Sequence, residues 1–178
     1  MSSVPQQPKK IRAYIALSPA CLQGKTWKGS PVTVVDEAWC AAAGFPAPGE
    51  LRGEDREVAE DEALHAAALK SLDAQVDSPR PLRVVAVAEV AGTDLQSCPS
   101  ECGGSYILTR PVRYSEVASY HVDEPAALAE VAKLAQLRAG QIEGATEAGE
   151  PFPELEFPEL LWFDGSELEI LREFLGLS

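Results

Sequence analysis

Histidine, thiol and carboxylate are the groups in this chain that could do chemistry, and the first two are scarce. Of two histidines in 178 residues, His121 stands two places before Asp123 in "SYHVDEP", at the end of a short apolar stretch. An imidazole near a carboxylate can act as a general base or ligate a metal, and strand ends that run into helices are frequent sites in open α/β sheets. Asp123 has a competing use, because the aspartate before "EPAAL" is placed to cap a helix. His65 follows Asp61 by four residues, one helical turn, which could make a base or half of a metal site. Its place in the stripe that holds Leu72 and Val76 predicts instead a histidine packed among apolar neighbours with one hydrogen bond.

The four cysteines are Cys21, Cys40, Cys98 and Cys102. Cys98 and Cys102, in "SCPSECGGS", are the one pair at ligand spacing. Structural zinc sites ordinarily show two such pairs, so free thiols and no stoichiometric zinc are expected. A loop disulfide would need oxidising conditions. No GxGxxG, no phosphate-loop lysine motif and no GxSxG is present, so no cofactor is expected. The acidic stretch "GEDREVAEDEA" suits a solvated helix start, favoured there by the helix dipole.

These residues need elements to hold them. "IRAYIALS" alternates Ile11, Ala13, Ile15 and Leu17 against the opposite face and predicts a first strand. "PVTVVD", Pro31 to Asp36, predicts a second. A Gly/Pro-rich loop follows, then a helix from about Glu54 to Val76 with Val58, Leu69, Leu72 and Val76 as its buried stripe, flanked by Leu64 and Ala68. "LRVVAVAEV" is too uniformly apolar for a half-exposed strand and predicts a central one. "YILTRPVRY" predicts a strand at an edge, or bent, at Pro111. "SEVASYHVD" predicts a helical turn and a short strand ending at Val122. "DEPAALAEVAKLAQLRAG" predicts a helix with Pro125 in its first turn, Leu128, Val131, Ala132 and Ala135 buried, and Gly140 at its end.

The closing stretch "ELEFPELLWFDGSELEILREFLGLS" poses the partner question. Leu160 to Phe163 form a greasy run, and Ser166 with Glu169 read as a capping box for an amphipathic helix bearing Leu168, Leu171, Phe174 and Leu175. The run is expected to be a last strand that completes the sheet, with Trp162 mostly buried. The competing reading makes Trp162 and Phe163 an exposed hook for another protein.

Charge narrows the partners. The formal net charge is −13 and the isoelectric point about 4.5. Such a field repels phosphate backbones and anionic membranes, so neither nucleic acid nor membrane is an expected partner. Arg80, Arg83, Arg110 and Arg113 are the only candidates for a local positive patch. No apolar run approaches the roughly 20 residues that span a bilayer. The opening "MSSVPQQPKK" reads as a disordered lead, not a signal peptide, and the cytoplasm is the expected compartment.

"IRAYIALS", "YHVDEP" and "ELLWFDGSEL" together resemble a small family of uncharacterised domains from high-GC actinobacteria. Its pattern is an opening strand, an HVD(D/E) segment and a closing ELLWY. The resemblance runs from Ile11 to Leu171. Phe163 stands where tyrosine is usual, and Pro19 lies later than the family's proline. It implies a compact intracellular α/β domain with "ELLWF" as an integral element, and no particular activity. The expectation is therefore an α+β domain with a mixed sheet of four to six strands, two main helices and a short C-terminal helix. Its parts are a lead over 1–10, a core over 11–140, an acidic linker over 141–158, and a strand and helix over 159–178. The expected function is non-catalytic binding of another protein. The alternative is a small hydrolase-like or metal-dependent enzyme using His121 and Asp123.

Overall fold

The computed structural model describes residues 8–24, 26–98, 103–144 and 155–177. The first half holds β1 (Lys10–Leu17), β2 (Thr26–Trp27), β3 (Pro31–Thr33), α1 (Glu37–Ala43) and α2 (Gly53–Asp73). There follow β4 (Val84–Ala91), β5 (Leu95–Ser97), β6 (Ser105–Leu108), β7 (Val112–Arg113) and β8 (Val117–Val122). α3 (Leu128–Gly144), β9 (Leu161–Asp164) and α4 (Leu168–Phe174) complete the described chain. Seven strands form one sheet in the order β5-β6-β3-β1-β4-β8-β9, while β2 and β7 make a separate ribbon. Every pairing is antiparallel. The class is α+β, as expected. The sheet is larger than the four to six strands predicted, and it is not mixed.

β4 is central because Val84 to Ala88 are buried without a break. A strand with no polar face needs a covering layer on both sides. On one side Ala13, Ile15, Leu17, Ala86, Tyr120 and Val122 pack with Trp27 of the ribbon and Leu171 of α4. On the other side Tyr14, Val85 and Val87 meet α1 and α2.

α2 presents Ala59, Ala63 and Ala67 to the sheet. Their spacing of four puts them on one stripe, and their small size lets the helix lie close to valines and a tyrosine. Of the predicted stripe, Leu72 and Ala68 are buried and Leu64 and Leu69 half-buried, but Val58 and Val76 are exposed. The helix C-terminal end is locked by polar groups. The Ser71 hydroxyl donates to the Leu17 carbonyl and accepts from the Val84 N–H at 3.0 Å. Gln75 Nε2 donates to the Leu82 carbonyl at 2.8 Å.

α1 was not predicted, because four alanines in seven residues give little periodicity. It is fixed by contacts instead. Asp36 accepts from the Trp39 N–H at 2.8 Å and from the Tyr106 hydroxyl. Gly104 sits at φ +81, and a Cβ there would lie 2.6 Å from Cβ of Trp39. The predicted strand around Pro111 is two pieces, β6 in the sheet and β7 in the ribbon. Proline supplies no N–H for a continuous ladder.

Asp123 does not cap a helix. Both it and Arg83 are buried, and they face each other where β8 ends and β4 begins. The Arg83 backbone N–H donates to Asp123 Oδ2 at 2.7 Å, and Nη2 donates to Oδ1 at 2.6 Å. Nη2 also donates to the Pro158 carbonyl, and the guanidinium lies 4.9 Å from the centroid of the Phe157 ring. Glu124 takes the capping position of a 3-10 turn over Pro125–Ala127 that leads into α3. α3 runs past Gly140, the predicted stop, to Gly144; of its predicted stripe Val131 is buried, while Leu128, Ala132 and Ala135 are half-buried. Part of the predicted acidic linker, 145–154, lies outside the described residues.

The Arg83 contacts deliver the chain to β9, which pairs with β8. The tail thus completes the sheet, as the strand reading expected. Trp162 departs from it at 60% exposed. It projects toward the α2 side, where α2 packs over β1, β3 and β4. The capping box lies two residues earlier than predicted. Glu167 accepts from the Asp164 N–H at 2.8 Å, and Asp164 accepts from the Ser166 N–H at 2.9 Å. Leu171 and Leu175 of the closing helix are buried as expected. Gly165 touches β8 so closely that a Cβ would fall 1.9 Å from the Val117 carbonyl oxygen.

Removing one charge of a buried pair strands the other, at a cost of about 3 to 5 kcal/mol. Asp123→Asn should lower the urea-unfolding free energy by that amount. Adding Arg83→Met to Asp123→Leu should cost less than Asp123→Asn alone. A single variant within about 1 kcal/mol of wild type would contradict a structural role for the pair.

Candidate functional site

β8 and β9 bring an imidazole and an indole side by side. His121 pairs across the ladder with Trp162, and Ser119 with Asp164. Residues two apart on a strand share a face, so Ser119 and His121 point together toward the α2 side. Ser119 Oγ lies 3.2 Å from His121 Nε2. β1 adds Arg12 and Tyr14 to the same face, and α2 adds Asp61 with His65.

Burial holds the His121 pKa below its usual value near 6.5, and the Arg12 charge acts in the same direction. The Asp61 carboxylate opposes both. The Tyr14 phenol is pushed up to about 12, chiefly by burial, with Glu60 and Asp61 adding to the rise. Arg12 opposes that rise, with its guanidinium 5.9 Å from the ring centroid. The same two charges, Arg12 and Asp61, therefore bear on both groups.

His65 is not in the core. It is an exposed residue on α2, with Nδ1 2.8 Å from the Asp61 carbonyl oxygen and 3.4 Å from its Oδ2. The predicted apolar surroundings belonged to a stripe that is buried only in part. Asp123, the other partner proposed for His121, is fully engaged by Arg83. No carboxylate is hydrogen-bonded to the His121 imidazole among the described residues, and Ser119 is buried. The pair can share a proton, but nothing orients it as a nucleophile and base. Cys98 is a free, half-buried thiol, as are Cys21 and, more deeply, Cys40. Cys102 lies outside the described residues. Among the described residues no group of three histidine, cysteine or carboxylate side chains could hold a metal ion.

The arginines singled out for a positive patch do not form one together. Arg83 is buried, and Arg110 contacts Asp94 at 3.0 Å and Glu116 at 3.3 Å.

What does reach the surface is apolar. Leu161, Trp162, Ile170 and Phe174 are exposed, and Phe163 meets Phe174 with ring centroids 5.4 Å apart. They lie on β9 and α4, at the edge of the sheet. Sequence reasoning missed Ser119, Arg12 and Tyr14. Ser119 was legible, since its spacing from His121 puts both on one strand face. Arg12 and Tyr14 join through the β1–β4–β8 pairing, which no local pattern encodes.

Residues 11–171 match the model of a family of unknown function, DUF6912, and the chain belongs to that family. The match covers the span over which the three sequence motifs are spread. No curated protein and no solved structure matches the chain. No helix among the described residues is long and apolar enough to cross a membrane.

A histidine whose pKa is depressed by folding binds fewer protons in the native state than in the unfolded one. Its contribution is fully present above the unfolded value near 6.5 and is lost as pH falls through the folded value. Proton NMR should show His121 titrating below the ordinary imidazole value near 6.5. Stability should fall on acidification from pH 7 to about 5, less so in His121→Gln. Titration of His121 above pH 7 would contradict this account of its environment.

Proposed function

We propose that this domain is a non-catalytic protein-binding module of the cytoplasm whose docking surface is the outer edge of β9. The observation that carries the reading is Trp162, 60% exposed on the edge strand of a seven-stranded sheet. A sheet edge offers a row of backbone donors and acceptors that an extended segment can extend by one strand. An accessible tryptophan beside that row is a suitable anchor, since aromatic residues dominate binding energy at interfaces. Leu161, Ile170 and Phe174 add exposed apolar area to the opposite, α4 side of the same strand.

Charge supports a choice of partner. Exposed Glu156, Glu159 and Asp164 flank the strand in a chain of net charge −13. An extended segment that alternates basic and apolar side chains complements that edge; an acidic one is repelled. The catalytic alternative loses Asp123 to its ion pair with Arg83, and the Ser119–His121 contact that remains has no third group to orient it.

An alternating lysine–valine heptapeptide, titrated by tryptophan fluorescence, is the direct probe. It should bind wild type, and Trp162→Ala should weaken it by about 10-fold or more, the 1.4 kcal/mol or so expected of an interface anchor. A glutamate–valine counterpart should not bind. Trp162→Ala should leave the melting temperature within about 2 °C, as for an exposed side chain. Absence of lysine–valine binding, or a collapse in melting temperature on that substitution, would sink the reading.

A further inference from the structure

A second, smaller site lies on the α2 side of the sheet, away from the β9 edge. A cavity of about 150 Å³ opens between the start of β1, the Val34–Leu51 stretch and the first turns of α2. Arg12, Tyr14, Arg56 and Glu60 line it, with Val34 and Leu51 as apolar wall. Three observations converge there. Tyr14 is only 3% exposed and its hydroxyl makes no hydrogen bond of good geometry; the Arg12 guanidinium beside it can only donate, so the phenol proton has no acceptor. Buried hydroxyls are ordinarily satisfied, so an orphan beside a cavity points to a missing acceptor. Arg12 and Arg56 form no ion pair among the described residues, not even with Glu60 on the same wall. That is notable in a chain with 28 acidic against 15 basic residues, where a carboxylate partner is easy to supply. The cavity also has the size of one small ring, since apolar cavities of about 150 Å³ accept benzene.

We propose that this cavity binds a small organic carboxylate. Its apolar body would sit against Val34 and Leu51, and its carboxylate would take the guanidinium donors of Arg12 and Arg56. Arginine forks match carboxylate geometry. Arg12 is exposed, with its guanidinium 5.9 Å from the Tyr14 ring centroid, and turned onto the ligand it leaves the phenol open to the same carboxylate. The Tyr14 hydroxyl remains a proton donor throughout the physiological range, because its pKa is pushed up to about 12. Glu60 sets a limit on the ligand: it repels a second negative charge, so a monoanion fits better than a dianion.

Benzoate is the probe, with benzyl alcohol as its neutral analogue and inorganic phosphate as the bare anion. Heteronuclear NMR of the full chain should show saturable benzoate shifts at the amides of Arg12, Leu51 and Arg56, with a Kd of millimolar order. Arg56→Gln and Arg12→Gln should each weaken it by about 10-fold, the scale of one charge-assisted contact. Tyr14→Phe should weaken it too while raising the melting temperature of the free protein, since an unsatisfied hydroxyl is removed. Benzoate that causes no shifts, benzyl alcohol or phosphate that binds as well, or affinity unmoved by all three substitutions would overturn the proposal.

Discussion

The contact between Arg83 and Asp123 determines how this chain closes. One side chain belongs to the approach to β4, the strand at the centre of the sheet, and the other to the exit of β8. Their ionic and backbone hydrogen bonds hold the two strand ends together where the chain turns toward α3. Arg83 has donors to spare, and it uses one on the Pro158 carbonyl while stacking on Phe157. A pair of charges sealed from water is therefore also the anchor for the last strand. Buried pairs are a poor source of net stability, but stranding either charge is costly, so arrangements that separate the two are disfavoured. Here the effect is positional: β9 enters beside β8 in one register, with Phe163 toward the core and Trp162 away from it.

That register separates two roles within one short motif. Leu160 packs against the α2-side core and Phe163 against the opposite core, so "LLWF" is built into the fold on both sides. Trp162 points to the face where β8 carries His121. The close approach of Gly165 to Val117 and the buried Leu171 hold the turn and helix that follow. The strand is fixed by its neighbours, and its indole is left available. A choice between core piece and exposed hook does not describe this geometry, because one strand serves as both.

Much of this was legible in residue order, and the misses share a cause. "VVAVAEV" announced a central strand because no half-exposed strand can be so uniformly apolar. The helical turn before β8 and the closing helix were also readable from local pattern. Wherever size mattered more than polarity, pattern failed: Ala59, Ala63 and Ala67 make the buried stripe of α2, although Val58 and Val76 are more hydrophobic. The misassigned position of His65 follows from that same error. Asp123 looked like a helix cap because a local use was in view and Arg83, forty residues away, was not. Arg12, Tyr14 and Arg56 converge only after strand pairing and helix placement, so neither the cavity nor the orphan hydroxyl has a local signature.

Amide hydrogen exchange across β9 in the free protein tests the central claim most directly, namely that a latched, integral strand leaves its tryptophan outside. The β9 amides that donate to β8 should exchange about as slowly as those of β8 itself, because both should open only with global unfolding. Exchange at the rate of a frayed terminus, about a hundredfold or more faster than β8, would contradict the claim. The last strand would then be a tail resting on the sheet, and the Arg83–Asp123 contact would not be what holds it.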